Sequence, residues 1–401
     1  MNWLRLENDT FVWVNSRSAL LYNPATGQHL LWHIDSPEAE SFFRSMADSN
    51  NLSCIILDEK PLMINETRKI ISKIASLNLG RVVQTNEPPV SYPPVLNLQS
   101  DPFRMKNNEN VREDLYWNTY LKEVVFYLTG TLSANDIAKQ EVYPLNGDTP
   151  LPINPVLHFL DECLRIGVDS ISICIKPGLH PSESRLLNVL RSIPVKKRLY
   201  IKASDMTISD LRRYDFFDEI IVLYYKDYEA ETNTFINKND DLGLSIKKRF
   251  LIDNEKDYSF NNEIYQGDET ISASPIFTGN NQQFFCDNVF LSHSEILGQK
   301  LDKRIIFARQ RANLNQFGVL SVLPDGNVYS NMLGRPIGTI KEPIQSIIGA
   351  EMKSKKGWLK TRDTKPCHQC LCKWLCPSPT AYEELMKHPA CLEGTELTTE
   401  E

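Results

Sequence analysis

Leu121-Lys122-Glu123-Val124-Val125-Phe126-Tyr127-Leu128 opens a rhythm that the middle of the chain keeps. The run is a strand: apolar, with valines and aromatics at its centre. A helical pattern over residues 154–166 precedes a second strand at 168–175, and a helix over 181–191 precedes a third at 199–202. A short helix near 209–214 precedes a strand at 219–224, with 244–251 next in line. Strand-then-helix alternation predicts right-handed βαβ units and a parallel sheet, open or rolled into part of a barrel. After residue 253 the rhythm is lost. Residues 317–322 and 328–329 then flank Leu323-Pro324-Asp325-Gly326-Asn327, the signal of a hairpin.

Upstream of this stretch, residues 1–83 read as a small α+β module. Short strands are predicted at 4–6, 11–14, 19–22 and 29–34, with the turn Asn23-Pro24-Ala25-Thr26-Gly27 between the last two. Ser36-Pro37-Glu38 is a helix start, a cap residue followed by Pro and an early acid. That helix runs to about residue 48, and 54–57 reads as a buried strand. A second helix over 66–79 places Ile70, Ile71, Ile74 and Leu77 on one face and stops at Gly80. Residues 84–115 carry Pro88, Pro89, Pro93, Pro94 and Pro102 without periodicity, and read as a connector.

The 401 residues leave room for two or three domains, and 41% hydrophobic with 24% charged residues is an ordinary globular balance. No run approaches the ~18 apolar residues of a membrane span. The first residues hold Glu7 and Asp9 where a signal peptide needs an apolar stretch. The net charge of -7 supplies no basic field for nucleic acid. The expectation is a cytoplasmic protein that touches neither membrane nor nucleic acid.

Nine cysteines are unevenly spread: Cys54, Cys163, Cys174 and Cys286 are scattered, whereas Cys367, Cys370, Cys372, Cys376 and Cys391 crowd the end. An odd total in such a chain argues against a disulfide framework, and short spacings argue for a metal. In the C-x2-C-x5-C run of Cys367, Cys370 and Cys376, the first step lets two thiolates face one ion from a single turn. Cys391, beyond a short predicted helix at 379–387, completes four ligands. Lys365, Lys373 and Lys387 are placed to offset the thiolate charge. Spacing does not separate zinc from iron–sulfur, and taken alone it leans to zinc.

Gly318 to Tyr329, then Gly338-Thr339-Ile340, then the cysteine run resemble, in that order, a SPASM domain, the auxiliary-cluster module of radical SAM peptide maturases. The resemblance covers residues 318–391 and implies a SPASM-like domain over 311–401. In that family two 4Fe–4S clusters sit here. The resemblance assigns Cys367, Cys370, Cys376 and Cys391 to one of them, all four present. The other would need cysteines at the positions of Asn331 and Thr380 and one more between Cys286 and Cys367, and none is there.

By the same resemblance residues 116–310 are a degenerate radical SAM partial barrel. The family's C-x3-C-x2-C motif would follow residues 121–128, but the loop from Thr129 to Gln140 has no cysteine. The Gly-Gly-Glu step of the second strand is replaced by Ile173-Cys174-Ile175-Lys176-Pro177-Gly178. The resemblance therefore implies no S-adenosylmethionine, no catalytic residue and a pseudo-enzyme. Residues 11–14, 19–23 and the helix at Ser36 resemble, less sharply, the recognition element that binds a leader peptide as an added strand; a plain cap on the barrel is the other reading. No P-loop, GxGxxG after a strand, GxSxG or HExxH suggests another chemistry.

Among isolated candidates, Cys174 reads as core before nucleophile and His158 as a packed or surface residue. His180 follows a strand end without a visible partner, His368 reads as exposed loop inside the C-x2-C step, and Cys372 stays undecided. The expected function is a non-catalytic partner in ribosomal peptide maturation with one 4Fe–4S cluster, binding a precursor peptide, an active radical SAM maturase, or both. The alternatives are a zinc-stabilised interaction protein, and an enzyme using the cluster or Cys174 without S-adenosylmethionine.

Overall fold

Short apolar runs separated by turns build the N-terminal module of the computed structural model, which describes residues 1–57, 65–94, 117–131, 147–205, 211–225, 245–259 and 267–392. In order come β1 (Asn2–Leu6), β2 (Phe11–Val14), β3 (Ser18–Tyr22), β4 (His29–His33), α1 (Pro37–Ala47), β5 (Cys54–Ile56), α2 (Asn65–Ser76) and β6 (Gly80–Gln84). They form two antiparallel sheets, ordered β5–β1–β6 and β2–β3–β4. Ser36 caps α1, accepting from the Ala39 amide at 3.2 Å, with Pro37 first and Glu38 and Glu40 in the opening turn.

Two local expectations are corrected here. Residues 54–57 read as a buried strand, but β5 is a sheet edge and keeps Ile55 and Ile56 half-exposed. Helix α2 ends at Ser76, and the left-handed turn falls on Asn78 (φ 54). Gly80 opens β6 instead, where a Cβ would lie 2.8 Å from the Arg5 carbonyl oxygen, so close strand approach requires the glycine.

The predicted alternation becomes β7 (Glu123–Tyr127), α3 (Ile153–Arg165), β8 (Ser170–Cys174), α4 (Glu183–Ser192), β9 (Lys196–Lys202), β10 (Glu219–Tyr224) and β11 (Ile246–Ile252). One further parallel strand, β12 (Ile271–Pro275), was hidden because its serines and terminal Pro carry little strand signal. As the last parallel strand on that side it tolerates Pro275. Three short helices follow, α5 (Gln282–Asn288), α6 (His293–Gly298) and α7 (Lys303–Arg309). The hairpin is β13 (Val319–Val322) with β14 (Asn327–Tyr329), joined by β15 (Gly338–Thr339); α8 (Ile344–Ser354) and α9 (Ala381–Met386) complete the chain.

β13 also lies parallel to β7, so strands on both sides of residue 310 share one nine-stranded sheet, ordered β12–β11–β10–β9–β8–β7–β13–β14–β15. From β7 to β12 each strand adds beside the last without reversal. Helices α3 and α4 pack against one face of this run. That face is the main core, built on Val124, Phe126, Ile171, Ile173, Leu199, Ile201 and Val222. The other face carries Glu123, Tyr127, Ser172, Cys174, Arg198, Tyr200 and Glu219. Pairing stays open, with β12 and β15 as edges among the described residues. No helix among them is long and apolar enough to cross a membrane.

Candidate metal centre

The cysteine run folds as a chain of tight turns. Cys367 and Cys370 flank one 3-10 turn, the Cys370 amide donating to the Cys367 carbonyl at 2.9 Å. The amides of Leu375 and Cys376 turn back onto the Cys372 carbonyl at 2.8 and 3.0 Å. Thr380 and Glu383 then form a reciprocal cap on α9. Cys391 arrives through a parallel bridge to Leu291, in which the Leu291 amide donates to Ala390 at 3.3 Å and the Leu392 amide to Leu291 at 3.2 Å. That bridge stands two residues before His293, on α6.

These turns bring the predicted ligands together. The charges of Cys367, Cys370 and Cys391 all act on Cys376, and Cys370, Cys376 and Cys391 act on Cys372. Cys370, Cys372, Cys376 and Cys391 are buried in one apolar cluster with Leu371 and Leu375, and Cys367 is half-buried. Burial raises the Cys376 and Cys367 thiols above their ordinary range, opposed by Arg362. Cys370 and Cys372 hydrogen-bond to each other and His293 hydrogen-bonds Cys370. This pair gives up one proton easily and holds the second firmly.

The cations that face the thiols are two arginines and not the lysines named from the sequence. Arg362 is 6% exposed, clamps Glu383 through both Nη atoms at 2.8 and 2.9 Å, and places Nη1 3.8 Å from Cys367 Sγ. Burial opposes its charge, but Glu383 more than offsets it, with Cys376 and Cys367 adding to the effect. Glu383 also accepts from the Ala390 amide at 2.9 Å, so one carboxylate ties the start of the cysteine run to its end. Arg309 donates to the Leu375 carbonyl; burial foremost lowers its pKa, while Cys376 opposes the shift. Lys373 is bound instead to Asp363 at 2.7 Å, and Lys365 and Lys387 line an open pocket of about 270 Å³ beside Cys367. His293 and Arg309 were missed because no spacing rule joins residues so far from the cysteine run, and Arg362, though only a few residues before Cys367, because no motif marks an arginine there.

As placed, no group of three His, Cys, Asp or Glu side chains among the described residues is in position to hold a metal ion. The donor chemistry nonetheless fits a thiolate-bound, anionic group. Buried thiols converge between two guanidinium charges, and Arg309 Nε is buried with no hydrogen-bond partner among the described residues. A thiolate or sulfide would accept from that donor. The two positions where the resemblance wants further cysteines hold polar anchors: Asn331 accepts from the Leu333 amide at 3.0 Å, and Thr380 caps α9.

The mouth of the main sheet contrasts with this tail. A cavity of about 200 Å³ is walled by Tyr127, Cys174, Tyr200, Asn315, Gln316 and Asn331, and among the described residues no charged side chain lines it. Cys174 is buried with Tyr127, Leu323, Tyr329 and Met332, and burial pushes its thiol well above the ordinary range, Glu123 adding to this. His180 is fully employed, Nε2 on the Leu151 carbonyl at 2.8 Å and Nδ1 accepting from the Ser182 amide at 3.1 Å. His158 lies exposed on α3, 4.0 Å from Glu162, and His368 is exposed. Most of the loop from Thr129 to Gln140 lies outside the described residues.

A groove of about 480 Å³ belongs to the N-terminal module. Trp3, Cys54, Ile55 and Ile56 form one wall, with Glu38, Ser41, Phe42 and Ser45 of α1 opposite. β5 has only β1 as a strand partner among the described residues.

No family model matches the chain, and no curated protein is significantly similar to it. Two similar solved structures are of SuiB from Streptococcus suis. The one bound to precursor peptide SuiA is 12% identical with a TM-score of 0.44, covering 96% of this chain and 97% of that one. The one bound to S-adenosylmethionine is 11% identical with a TM-score of 0.40, covering 96% of each chain. Likenesses of this size assign no activity.

Proposed function

We propose that this chain is a pseudo-radical-SAM protein: a non-catalytic, cytoplasmic partner in ribosomal peptide maturation that binds a precursor peptide, an active maturase, or both. Its C-terminal thiols hold one 4Fe–4S cluster, ligated by Cys367, Cys370, Cys376 and Cys391. The observation that carries this reading is the convergence of those thiols on Cys376 between Arg309 and Arg362. Two positive charges beside four thiolates lower the cost of burying an anionic cluster. The cluster is structural: it cross-links the cysteine run to the segment around Cys391, whose apolar packing is shared with β2, β3 and α7.

The non-catalytic part is supported by the strand ends. S-adenosylmethionine carries an ammonium, a carboxylate and a sulfonium, and among the described residues the wall of the cavity beside Tyr127 and Cys174 holds no charged side chain to pair with them. Peptide binding is supported by the groove between β5 and α1, where an extended segment would pair with the outer edge of β5 and set a side chain against Phe42 and Trp3.

Anaerobic purification with iron, sulfide and zinc analysis tests the centre. About four irons and four sulfides per chain are expected from four-cysteine cluster ligation; one zinc without sulfide would replace the cluster with the zinc-stabilised alternative. Cleavage of S-adenosylmethionine by the reduced protein would overturn the pseudo-enzyme reading.

A further inference from the structure

Strand β3 is buried along its whole length, unusual for the middle of a three-stranded antiparallel sheet, because both faces of β2–β3–β4 are covered. Ala19, Leu21 and Leu30 point into the module's own core with Phe42, Phe43 and Met46 of α1. Phe11, Leu20 and Tyr22 point the other way and pack with Cys370, Leu371, Cys372 and Leu375 of the cysteine run and Ile306 of α7. Three polar pins hold the same face. Asn15 donates to the Gln369 carbonyl at 3.1 Å, Lys303 pairs with Asp9 at 2.9 Å, and the Tyr22 hydroxyl donates to Gln299 at 2.6 Å while accepting from the Leu301 amide at 3.0 Å.

The packing is continuous from the thiols to the groove. Cys370 and Cys372 touch the cluster of Leu20 and Tyr22; the alternate residues of the same strand touch α1; and Phe42 of α1 is both core and groove wall. We propose that the metal centre and the N-terminal groove are linked through the two-faced sheet β2–β3–β4, so that loading the cysteine run seats the sheet and fixes the α1 wall against β5. The inference rests on the metal and peptide readings above and adds their coupling. Contiguous packing permits such a linkage, and a shift at both ends demonstrates it.

Amide exchange of the metal-loaded protein, compared with the same protein stripped by a chelator under reducing conditions, tests it. Stripping should speed exchange at least fivefold in residues 11–22 and 37–47 and leave β8 and β10 unchanged. A rise confined to residues 363–392, or a rise across the whole chain, overturns the linkage while the metal reading stands; a purified chain carrying no metal overturns both. The linkage must also run backwards. Tyr22→Phe keeps the ring and removes the hydroxyl pins, and should release iron to a colorimetric chelator at least fivefold faster with β8 exchange unchanged. Wild-type release from Tyr22→Phe and from Leu20→Ala alike overturns it.

Discussion

At the mouth of the main sheet Cys174 stands alone among Tyr127, Leu323, Tyr329 and Met332, and burial keeps its thiol protonated. In the tail five cysteines share one basin with His293 and two arginines, and part of the burial cost is offset by charge. Both are buried cysteine environments, yet one excludes charge and the other gathers it. On the proposed ligand set, what distinguishes a packed cysteine from a ligand is the company of like thiols and of cations, and burial by itself says little.

The comparison is broken most directly by exchanging one atom at each place. Cys376→Ser should strip the tail of metal, to below a tenth of the wild-type content, and open residues 360–392 to proteolysis, since structural metal binding supplies on the order of 10 kcal/mol. Cys174→Ser should leave the metal content unchanged. A fully metallated Cys376→Ser protein would refute the ligand set, and metal loss from Cys174→Ser would erase the distinction between the two regions.

The next largest effect falls on the charges that mark the tail. Arg362→Met leaves Glu383 buried beside the thiols without its partner, and should cost roughly 3–5 kcal/mol in urea unfolding. Arg362→Met with Glu383→Gln should recover part of that loss, because the uncharged amide still accepts from Thr380 or Ala390 while no unpaired charge stays buried. Equal stability for the single and double variants would show that the pair does not organise this region.

The same contrast explains what could be read without coordinates. Strands β7 to β11 and the cap at Ser36 were legible because their signals are local: apolar runs, period and cap chemistry. The cysteine run from Cys367 to Cys376 was legible because its spacing is short. Strand β12 was not, since Ile271-Ser272-Ala273-Ser274-Pro275 reads as loop until β11 lies beside it. The pairing of β13 with β7 joins Val319 to Glu123, neighbours in the sheet but far apart in sequence, and no local pattern encodes it. Arg309 and Arg362 acquire meaning only when the fold places them against Cys376 and Cys367. The run Ala-Leu-Leu-Tyr lacks the alternation a single buried face would leave and so is consistent with a strand covered on both sides, but nothing local names the cysteine run and α7 as the second cover.

A smaller effect sharpens the account of the mouth. Cys174→Ala removes only a sulfur from a packed wall and should cost about 1–2 kcal/mol. In the native protein Cys174 should resist iodoacetamide and become labelled only on unfolding, read by mass spectrometry of the tryptic peptide. Rapid native labelling would mean an accessible, activated thiol and would restore the reading of Cys174 as a nucleophile.

The smallest effect concerns the lower part of the same sheet face, where charge is gathered without thiols. Glu219 accepts from Lys247 Nζ and Arg198 Nε, each at 2.9 Å, with Lys196 at 3.3 Å, and Arg198 bridges on to Glu123 at 2.9 Å. These bonds, from Lys247 foremost and then Arg198 and Lys196, hold the Glu219 carboxyl at about 2, against an ordinary value of 4.5, with burial opposing. The folded state therefore favours the ionised acid. Its contribution is fully present above about 4.5 and is lost as the pH falls toward 2. Solvent screening of a sheet-face network reduces this to on the order of 1 kcal/mol. Acid loss of the proposed cluster would be common to both proteins, so the difference between wild type and Glu219→Gln isolates the carboxylate. Glu219→Gln should be the less stable protein at neutral pH and should converge with wild type as the pH falls from 4.5 toward 2. A difference that does not narrow over that window would mean the network acts through packing and not through charge.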